Sequence, residues 1–259
     1  MKKFIYIFLF LTSTVFSQEF FETTFVKKTE LRANKLVSID NFGITYFIDN
    51  DVFQKKDATK TITYNNLQLG HLETANAFNP LKINLFYKDF NTVIILDNRL
   101  AEIFKIDFNT LQNYKNITHV STGFDNTLWV FNQDTQQLEL FDYKTKTTRV
   151  KTLPVQSQVL DLKSNYNSCW LLTKNYLYLY SYFGSLLTKI KNDGYTDISE
   201  SNENIILKKE ESLFYLRKNT ESLIPISIPN LLINQFFVTN ETLYIYDDES
   251  LHEFLIKTK

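Results

Sequence analysis

The feature that most constrains this chain is an internal repeat of strand-like segments. Six short apolar runs, rich in Ile, Leu, Phe and Tyr, recur at intervals of 35 to 48 residues; they begin at Gly43, Asn91, Asn126, Asn167, Glu203 and Glu241. A period near 40 residues is typical of folds built from small four-stranded sheets arranged around an axis. Each run is followed, after a polar turn, by a second apolar run. The paired runs predict β-hairpins, which we assign to the second and third strands of each sheet.

Further segments supply the remaining strands that each sheet needs. Inner strands are predicted before each hairpin, at Leu36–Asp40, Lys82–Tyr87, Ile117–Thr122, Val159–Lys163, Tyr195–Ser199 and Leu232–Val238. Outer strands are predicted at Thr59–Tyr64, Thr147–Leu153, Leu186–Lys191 and Leu223–Ile228, with a weak candidate at Leu111–Lys115. The outer segments alternate apolar residues with Lys, Thr and Ser, as half-exposed strands do.

The two ends of the repeat complement one another. Only three residues follow the apolar run Leu251–Ile256, so the last sheet lacks an outer strand, whereas the segment Phe21–Leu31 precedes the first sheet as a spare strand. An unpaired edge favours association with other chains. We therefore expect Phe21–Leu31 to pair with residues 250–257 and close a ring.

This pattern resembles the six-bladed β-propellers of secreted and periplasmic bacteria, in particular the NHL-like kind. The resemblance rests on the apolar runs that end in Asp or Asn, such as those closing at Asp49, Asp97, Asn132 and Asp247. It implies an all-β, six-bladed propeller spanning residues 18–259 as one domain. A seven-bladed ring with a poorly marked blade between residues 65 and 81, or a two-sheet sandwich, are the alternatives. A propeller fold by itself implies no activity.

The N-terminus has the anatomy of a secretory signal peptide. Lys2 and Lys3 precede the apolar stretch Phe4–Leu11, and Val15 and Ser17 satisfy the small-residue rule for cleavage. We expect residues 1–17 to be removed, so that no transmembrane segment remains, since a span needs about 20 apolar residues. The single cysteine is far from the cleavage site, which argues against a lipoprotein. Together with the frequent Asn, Lys and Ile, these features predict a periplasmic or secreted protein of a Gram-negative bacterium.

The charge balance and the cysteine content limit the kinds of partner and of covalent cross-link that this chain can have. The 28 basic and 29 acidic residues give a net charge of -1. The chain therefore has no surplus of positive charge with which to bind nucleic acid. One cysteine excludes an intramolecular disulfide. Cys169 adjoins Trp170 in an apolar run, so we expect it to be a buried, inert thiol. Trp129 and Trp170 both lie in predicted central strands, where core positions are expected.

No residue pattern predicts a catalytic, cofactor or metal site. The three histidines, His71, His119 and His252, lack partners at metal-ligand spacing. The acidic cluster at Asp247 to Glu249 fits a solvated hairpin turn better than a calcium loop. There is no Gly-x-Ser-x-Gly motif and no phosphate-binding glycine loop. We therefore predict no catalytic, cofactor-binding or metal-ligating residues.

The segment Asn65–Leu81 stretches the repeat and is more apolar than a free loop needs to be. We interpret it as a cap that packs on the ring, or as a loop that presents a binding surface. The candidate interaction surface is drawn from this segment and the residues that follow: Leu69, His71, Phe78, Tyr87 and Arg99.

These observations predict a monomeric, exported, non-enzymatic propeller that acts as an interaction or scaffold protein of the bacterial cell envelope and docks an envelope protein or peptide. The alternative is a metal-dependent hydrolase or lyase whose site lies in the central channel, where Asp40, Asp161, Asp197 and Glu200 could converge. Alternatively, these four carboxyls face water molecules trapped in the channel and bind no metal.

Overall fold

The computed structural model describes residues 20–202, 204–217 and 220–257. The predicted signal peptide, residues 1–17, lies outside the described residues. Over the described part the chain is all-β, with two single-turn 3-10 helices at Lys88–Phe90 and Phe108–Thr110. No helix in this part is long and apolar enough to cross a membrane.

Four of the sheets are four-stranded and antiparallel, with strands in chain order from the inside outwards. The first contains β2 (Lys35–Ile39), β3 (Thr45–Asp49), β4 (Val52–Lys56) and β5 (Thr61–Tyr64). The second contains β6 (Thr74–Asn76), β7 (Ile83–Tyr87), β8 (Thr92–Leu96) and β9 (Glu102–Asp107). The third contains β10 (Ile117–Thr122), β11 (Thr127–Asn132), β12 (Gln137–Asp142) and β13 (Thr147–Lys151). The fourth contains β14 (Val159–Ser164), β15 (Ser168–Thr173), β16 (Tyr176–Ser181) and β17 (Leu186–Lys191).

The fifth sheet has eight strands and is nearly closed on itself. Its members are β18 (Asp197–Ser201), β19 (Asn204–Lys209), β20 (Ser212–Leu216), β21 (Leu223–Ser227), β22 (Gln235–Thr239), β23 (Thr242–Tyr246), β24 (Ser250–Ile256) and β1 (Phe21–Glu30). They follow the order β18-β19-β20-β21-β1-β24-β23-β22, and the two edge strands β18 and β22 contact each other. All five sheets therefore surround one axis in a propeller-like arrangement.

The number of blades expected from the sequence is wrong. The described residues form four four-stranded sheets and one eight-stranded sheet, rather than six or seven separate blades. The physical reason is strand β1, which pairs along both of its edges. It is antiparallel to β24 from Thr23 to Glu30, and its first residues Phe21 and Glu22 pair in parallel with β21. The expected pairing of Phe21–Leu31 with residues 250–257 is observed between Thr23–Glu30 and Ser250–Ile256. Strand β1 also joins two four-stranded units that were predicted to be separate blades.

The strand assignment of the second sheet is also corrected. Its inner strand is β6, which lies inside Asn65–Leu81, so this segment is not simply an insertion. The predicted inner strand Lys82–Tyr87 corresponds to the second strand, β7. The weak outer candidate Leu111–Lys115 is not a strand, because β9 already holds the outer position.

Burial follows strand position. The central strand β11 is buried at all six positions, whereas the outer strand β13 alternates between exposed and half-buried residues. Trp129 and Trp170 are buried between neighbouring sheets, as the sequence predicts. Apolar packing between adjacent sheets forms the core, and this leaves the innermost strands to line the axis.

Candidate interaction face and central channel

The innermost strands enclose a central channel. The strands β2, β6, β10, β14, β18 and β22 are neighbours in that order around it. They line a cavity of about 630 Å³. Part of its wall is tied by small polar side chains: the Oγ of Ser164 lies 2.8 Å from that of Ser121, which in turn accepts a hydrogen bond of 3.2 Å from the Asn76 amide.

Basic and acidic side chains alternate around one part of the channel wall. Lys163 forms an ion pair of 3.1 Å with Asp161, and the ammonium of Lys35 donates to the main-chain oxygen of Glu73 at 3.1 Å. Burial, together with the nearby charge of Lys163, lowers the pKa of Lys35. Lys35 therefore ties β2 to the main chain just before β6, and Lys163 and Asp161 neutralise each other on β14.

His119 lies among these groups as a neutral side chain. Burial lowers its pKa to about 4, against opposing contributions from the nearby Asp161 and Glu73 carboxylates. Its Nδ1 lies 3.0 Å from the Thr118 hydroxyl. A histidine that stays neutral at neutral pH adds no cation to the channel.

The four carboxyls that sequence analysis placed near the channel do line it, and each accepts hydrogen bonds from its own turn or from a neighbouring part of the wall. Asp40 accepts from the main-chain N–H groups of its own turn, and Asp161 accepts from the N–H of Ile198 at 3.1 Å. Asp197 accepts from a threonine hydroxyl, and Glu200 from the Asn165 amide at 2.9 Å. Among the described residues, no three His, Cys, Asp or Glu side chains lie close enough together to hold a metal ion.

One face of the ring carries a continuous row of aromatic side chains. Adjacent strands of a sheet run in opposite directions, so loops from the first to the second strand and from the third to the fourth emerge on the same side. Five aromatic residues in such loops contact one another in sequence, and we call them the aromatic strip: Phe78, Tyr166, Phe124, Tyr182 and Phe183.

The rings of the strip meet edge to face. The centroids of Phe78 and Tyr166 are 5.1 Å apart, and those of Tyr166 and Phe124 are 6.0 Å apart. Tyr182 follows at 5.7 Å from Phe124, and Phe183 at 5.5 Å from Tyr182. Such spacings and angles are favourable for aromatic pairs. The strip therefore runs as one surface from Phe78, at the mouth of the channel, outwards to Phe183.

Much of the strip remains open to solvent. Phe78 and Phe124 are each close to half exposed, at 45% and 46%, and Phe183 is 79% exposed. A contiguous exposed aromatic surface is unusual on a protein without a partner, whereas single exposed apolar residues are normal.

The loops that carry the strip are locally fixed. A side chain on Gly123 would place its Cβ 2.4 Å from the Thr127 hydroxyl, so the turn that presents Phe124 requires glycine. The Asn165 side chain accepts from the N–H groups of the next two loop positions after Tyr166, at 2.8 and 2.9 Å. The Asn76 side chain likewise accepts from the N–H of Phe78 at 3.0 Å. The aromatic side chains are thus held on stiff turns.

Basic residues border the outer end of the strip. Arg149 lies near the hydroxyl of Tyr182 and is paired with the buried Asp142. Lys144 and Lys146 lie exposed in the adjacent turn. Tyr143 connects this turn to the loop of Phe124, since its N–H donates to the main-chain oxygen of Asn126 at 3.0 Å.

The five residues predicted as an interaction surface lie in different environments. Leu69 and Tyr87 are buried, at 4% and 0% exposure. His71 is exposed and its Nδ1 lies 2.6 Å from Asp51, while Arg99 is exposed in the turn after β8. Phe78 alone among the five belongs to the aromatic strip. Sequence reasoning missed Phe124, Tyr166, Tyr182 and Phe183, although Phe124, Tyr166 and Phe183 each stand beside an Asp, Asn or Gly between predicted strands.

The remaining predictions for single residues agree with the structure. Cys169 is fully buried, and burial raises the pKa of its thiol well above the usual value. The acidic cluster forms the turn between β23 and β24, where the Asp247 carboxylate accepts from the N–H of Ser250 at 2.7 Å and lies 2.7 Å from His252.

Comparison with known proteins supports the fold alone. No family model matches the chain, and no curated protein matches its sequence. The structure is similar to a streptogramin B lyase, with a TM-score of 0.64, 11% identity and coverage of 90% of this chain and 88% of that one. It is also similar to virginiamycin B lyase from Staphylococcus aureus, with a TM-score of 0.60, 11% identity and coverage of 89% and 99%.

A third similar structure is the Pan2 WD40 domain of Neurospora crassa, with a TM-score of 0.57, 8% identity and coverage of 92% and 96%. The neighbours thus include enzymes and a WD40 domain, and all share a propeller-like architecture with this chain. At such low sequence identities, these similarities show nothing about the activity of this chain. That this chain is a propeller of the NHL-like kind stays a prediction.

Proposed function

We propose that this protein is an exported, non-enzymatic interaction protein that binds a partner protein of the bacterial cell envelope through the aromatic strip. The observation that carries the proposal is an unbroken row of five aromatic side chains on one face of the ring, in which Phe78, Tyr166, Phe124 and Phe183 are exposed and Tyr182 is partly buried. Aromatic residues dominate the energetically important centres of protein interfaces. Because the strip is displayed on stiff turns, little ordering cost is expected on binding.

The channel chemistry supports the same proposal. The carboxyls of the wall accept hydrogen bonds from main-chain N–H groups or from neighbouring side chains, and the described part of the chain offers no cluster of three His, Cys, Asp or Glu side chains. The alternative raised by the sequence, a lyase or hydrolase with a channel metal, rested on convergence of Asp40, Asp161, Asp197 and Glu200, and these four form no such cluster. Similarity to the two lyases extends to the fold only.

The signal-like residues 1–17 support export, and the composition supports a Gram-negative envelope as the site of action. We propose a periplasmic or secreted location on these grounds. Mass spectrometry of the protein from its own cells should find an N-terminus at or near Gln18. Recovery of the intact Met1 terminus from the membrane fraction would contradict export.

The test of the interaction uses paired substitutions on the same face. The double variant Phe124→Ser/Tyr166→Ser removes the centre of the strip, while Phe42→Ser removes an exposed ring in the loop after β2, outside the strip. Each variant is purified from gently cross-linked cells, and co-purifying envelope proteins are quantified by mass spectrometry. We expect the double variant to lose a defined partner that the wild type and Phe42→Ser both retain, with equal melting temperatures. An unchanged set of partners in the double variant would refute the proposal.

A further inference from the structure

The outer edge of the fourth sheet continues the surface that the aromatic strip begins. Strand β17 starts three residues after Phe183, the last ring of the strip, and pairs along one edge with β16. Its other edge is unpaired within the described residues. An unpaired strand edge presents a row of N–H and C=O groups that can pair with another chain.

The outward-facing backbone groups of β17 can be assigned from the ladder. The N–H of Asn192 donates to the oxygen of Asn175 at 2.9 Å, next to the end of the ladder. Bonded and non-bonded pairs alternate in an antiparallel ladder. Lys191, opposite Tyr176, and Lys189, opposite Tyr178, therefore occupy non-bonded positions, and their N–H and C=O groups point away from β16.

The side chains along this edge are apolar at one end and basic at the other. Leu186 and Leu187 are more than half exposed, and Leu187 is the extra residue of a bulge. Lys189 and Lys191 follow, with the ammonium of Lys189 lying 4.0 Å from the centre of the Tyr176 ring. Leu186–Lys191 contains no carboxylate.

The neighbouring outer strand is basic as well. β13 displays Arg149 and Lys151 at exposed positions and contains no acidic residue itself, although Arg149 is paired with Asp142 and Lys151 lies 4.0 Å from Glu139. The two strands approach each other closely at the turn before β17, since a Cβ added to Gly184 would lie 2.1 Å from the side chain of Val150. The edge of β17 and the strand beside it therefore form one basic rim.

Lysines on an edge strand also have a purely protective interpretation, because they discourage pairing between sheets. That interpretation accounts for Lys189 and Lys191. It does not account for the two adjacent exposed leucines, which would promote the association that the lysines are supposed to prevent. Apolar side chains next to cations and beside an aromatic strip are instead the features of a binding edge.

We propose that the open edge of β17 takes up an acidic, extended segment of the partner protein as an added strand. The inference rests on the proposed interaction function and specifies the partner's chemistry. In this arrangement the main-chain groups of Lys189 and Lys191 bond to the partner's backbone. The partner's carboxylates face Lys189 and Lys191, and its apolar side chains contact Leu186 and Phe183. Main-chain bonds supply affinity in such complexes, and the side chains select the sequence.

The test uses a fluorescent synthetic peptide in which Glu alternates with Val and Phe, and a twin with Lys in place of every Glu. Binding is followed by fluorescence anisotropy with the full chain. Proline at position 189 removes the outward N–H, which the ladder to β16 does not use, and edge strands tolerate proline there. Lys189→Ala is the matched control, since it removes the same charge and retains the N–H.

We expect the acidic peptide to bind and its basic twin to fail, and Lys189→Pro to bind at least about tenfold more weakly than Lys189→Ala. Hydrogen exchange on the wild type gives a second readout that needs no substitution: the amides of Lys189 and Lys191 should become protected when the peptide binds. Equal affinity of Lys189→Pro and Lys189→Ala would overturn the proposal, and so would equal binding of both peptides or unprotected amides.

These outcomes are separate from the test of the proposed function. If Phe124→Ser/Tyr166→Ser loses its cellular partner while the β17 edge fails every test above, the strip is the interface and strand addition is wrong. If strip variants keep every partner, the proposed function itself fails.

Discussion

The ammonium nitrogen of Lys115 lies 2.6 Å from a carboxylate oxygen of Glu139, and neither side chain is more than 8% exposed. Burial alone would raise the pKa of Glu139, but hydrogen bonds from Lys115, Thr148 and Asn132 outweigh it and hold the pKa below its usual value. Lys115 lies in the connection that enters β10, so this pair fixes the start of an inner strand to the middle of the third sheet.

Removing one member of the pair should cost more than removing both. Lys115→Met leaves the buried Glu139 carboxylate with only the more distant ammonium of Lys151, 4.0 Å away, and we expect a loss of about 3 kcal/mol in the free energy of unfolding. Lys115→Met/Glu139→Leu should be less destabilised than the single variant, because no charge is left buried. Urea unfolding of both variants measures the difference. A double variant that is weaker than Lys115→Met would contradict this account of the pair.

The hydroxyl of Tyr246 holds the end of the fifth sheet to the start of the first. It lies within 3.2 Å of the main-chain oxygens of Leu31, Ala33 and Asp248, and it accepts from the N–H of Ala33. Tyr246→Phe should lower the free energy of unfolding by about 1–3 kcal/mol, because buried main-chain groups lose their partner. Tyr244→Phe, on the same strand, is the control and should change stability little. Equal melting temperatures for both variants would show that this hydroxyl contributes nothing to closure.

Strand β1 should be essential to the fifth sheet. It pairs with β24 over most of its length and with β21 at its first residues. A chain lacking residues 20–30 should be destabilised by several kcal/mol and should self-associate, since two strand edges lose their neighbour. Thermal unfolding and size-exclusion chromatography measure the two effects. A truncated chain with the melting temperature and elution volume of the intact protein would show that β1 is dispensable.

His119 should make stability depend on pH. Its pKa is about 4 in the folded protein and near 6.5 in the unfolded chain. The unfolded state therefore binds more protons between these values, so stability is fully present above about pH 6.5 and decreases as the pH falls towards 4. The expected change is of the order of 2–3 kcal/mol. His119→Gln should reduce the pH dependence measured by urea unfolding at pH 4.5 and 7.5. If the substitution leaves that dependence unchanged, His119 is not its source.

The hairpins and the partner of the N-terminal strand could be predicted because their signals are local or arise at the chain ends. The pairing of β1 with β21 could not, since it involves only two residue pairs, Phe21 with Ile226 and Glu22 with Ser227. That short parallel contact decides the sheet count. Strand β6 was missed because Thr74–Asn76 has no apolar run, and its extended structure comes from pairing with β7.

The aromatic strip was beyond sequence analysis for a related reason. Its residues come from four loops in three sheets, and they meet only because the ring brings those loops to one face. A weaker signal was present in the sequence. Turns after the inner strands repeatedly place an aromatic residue beside Asn or Asp, as at Phe78, Phe124 and Tyr166.

The most direct test of the central claim, that the aromatic strip is the binding surface, is photo-crosslinking in the protein's own cells. The photoreactive analogue benzoylphenylalanine replaces Phe124 in one variant and Leu153 in another; Leu153 is 85% exposed and follows β13 on the opposite face of the ring. We expect a discrete cross-linked envelope protein from position 124 and none from position 153. The same adducts from both positions, or an adduct from position 153 alone, would contradict it.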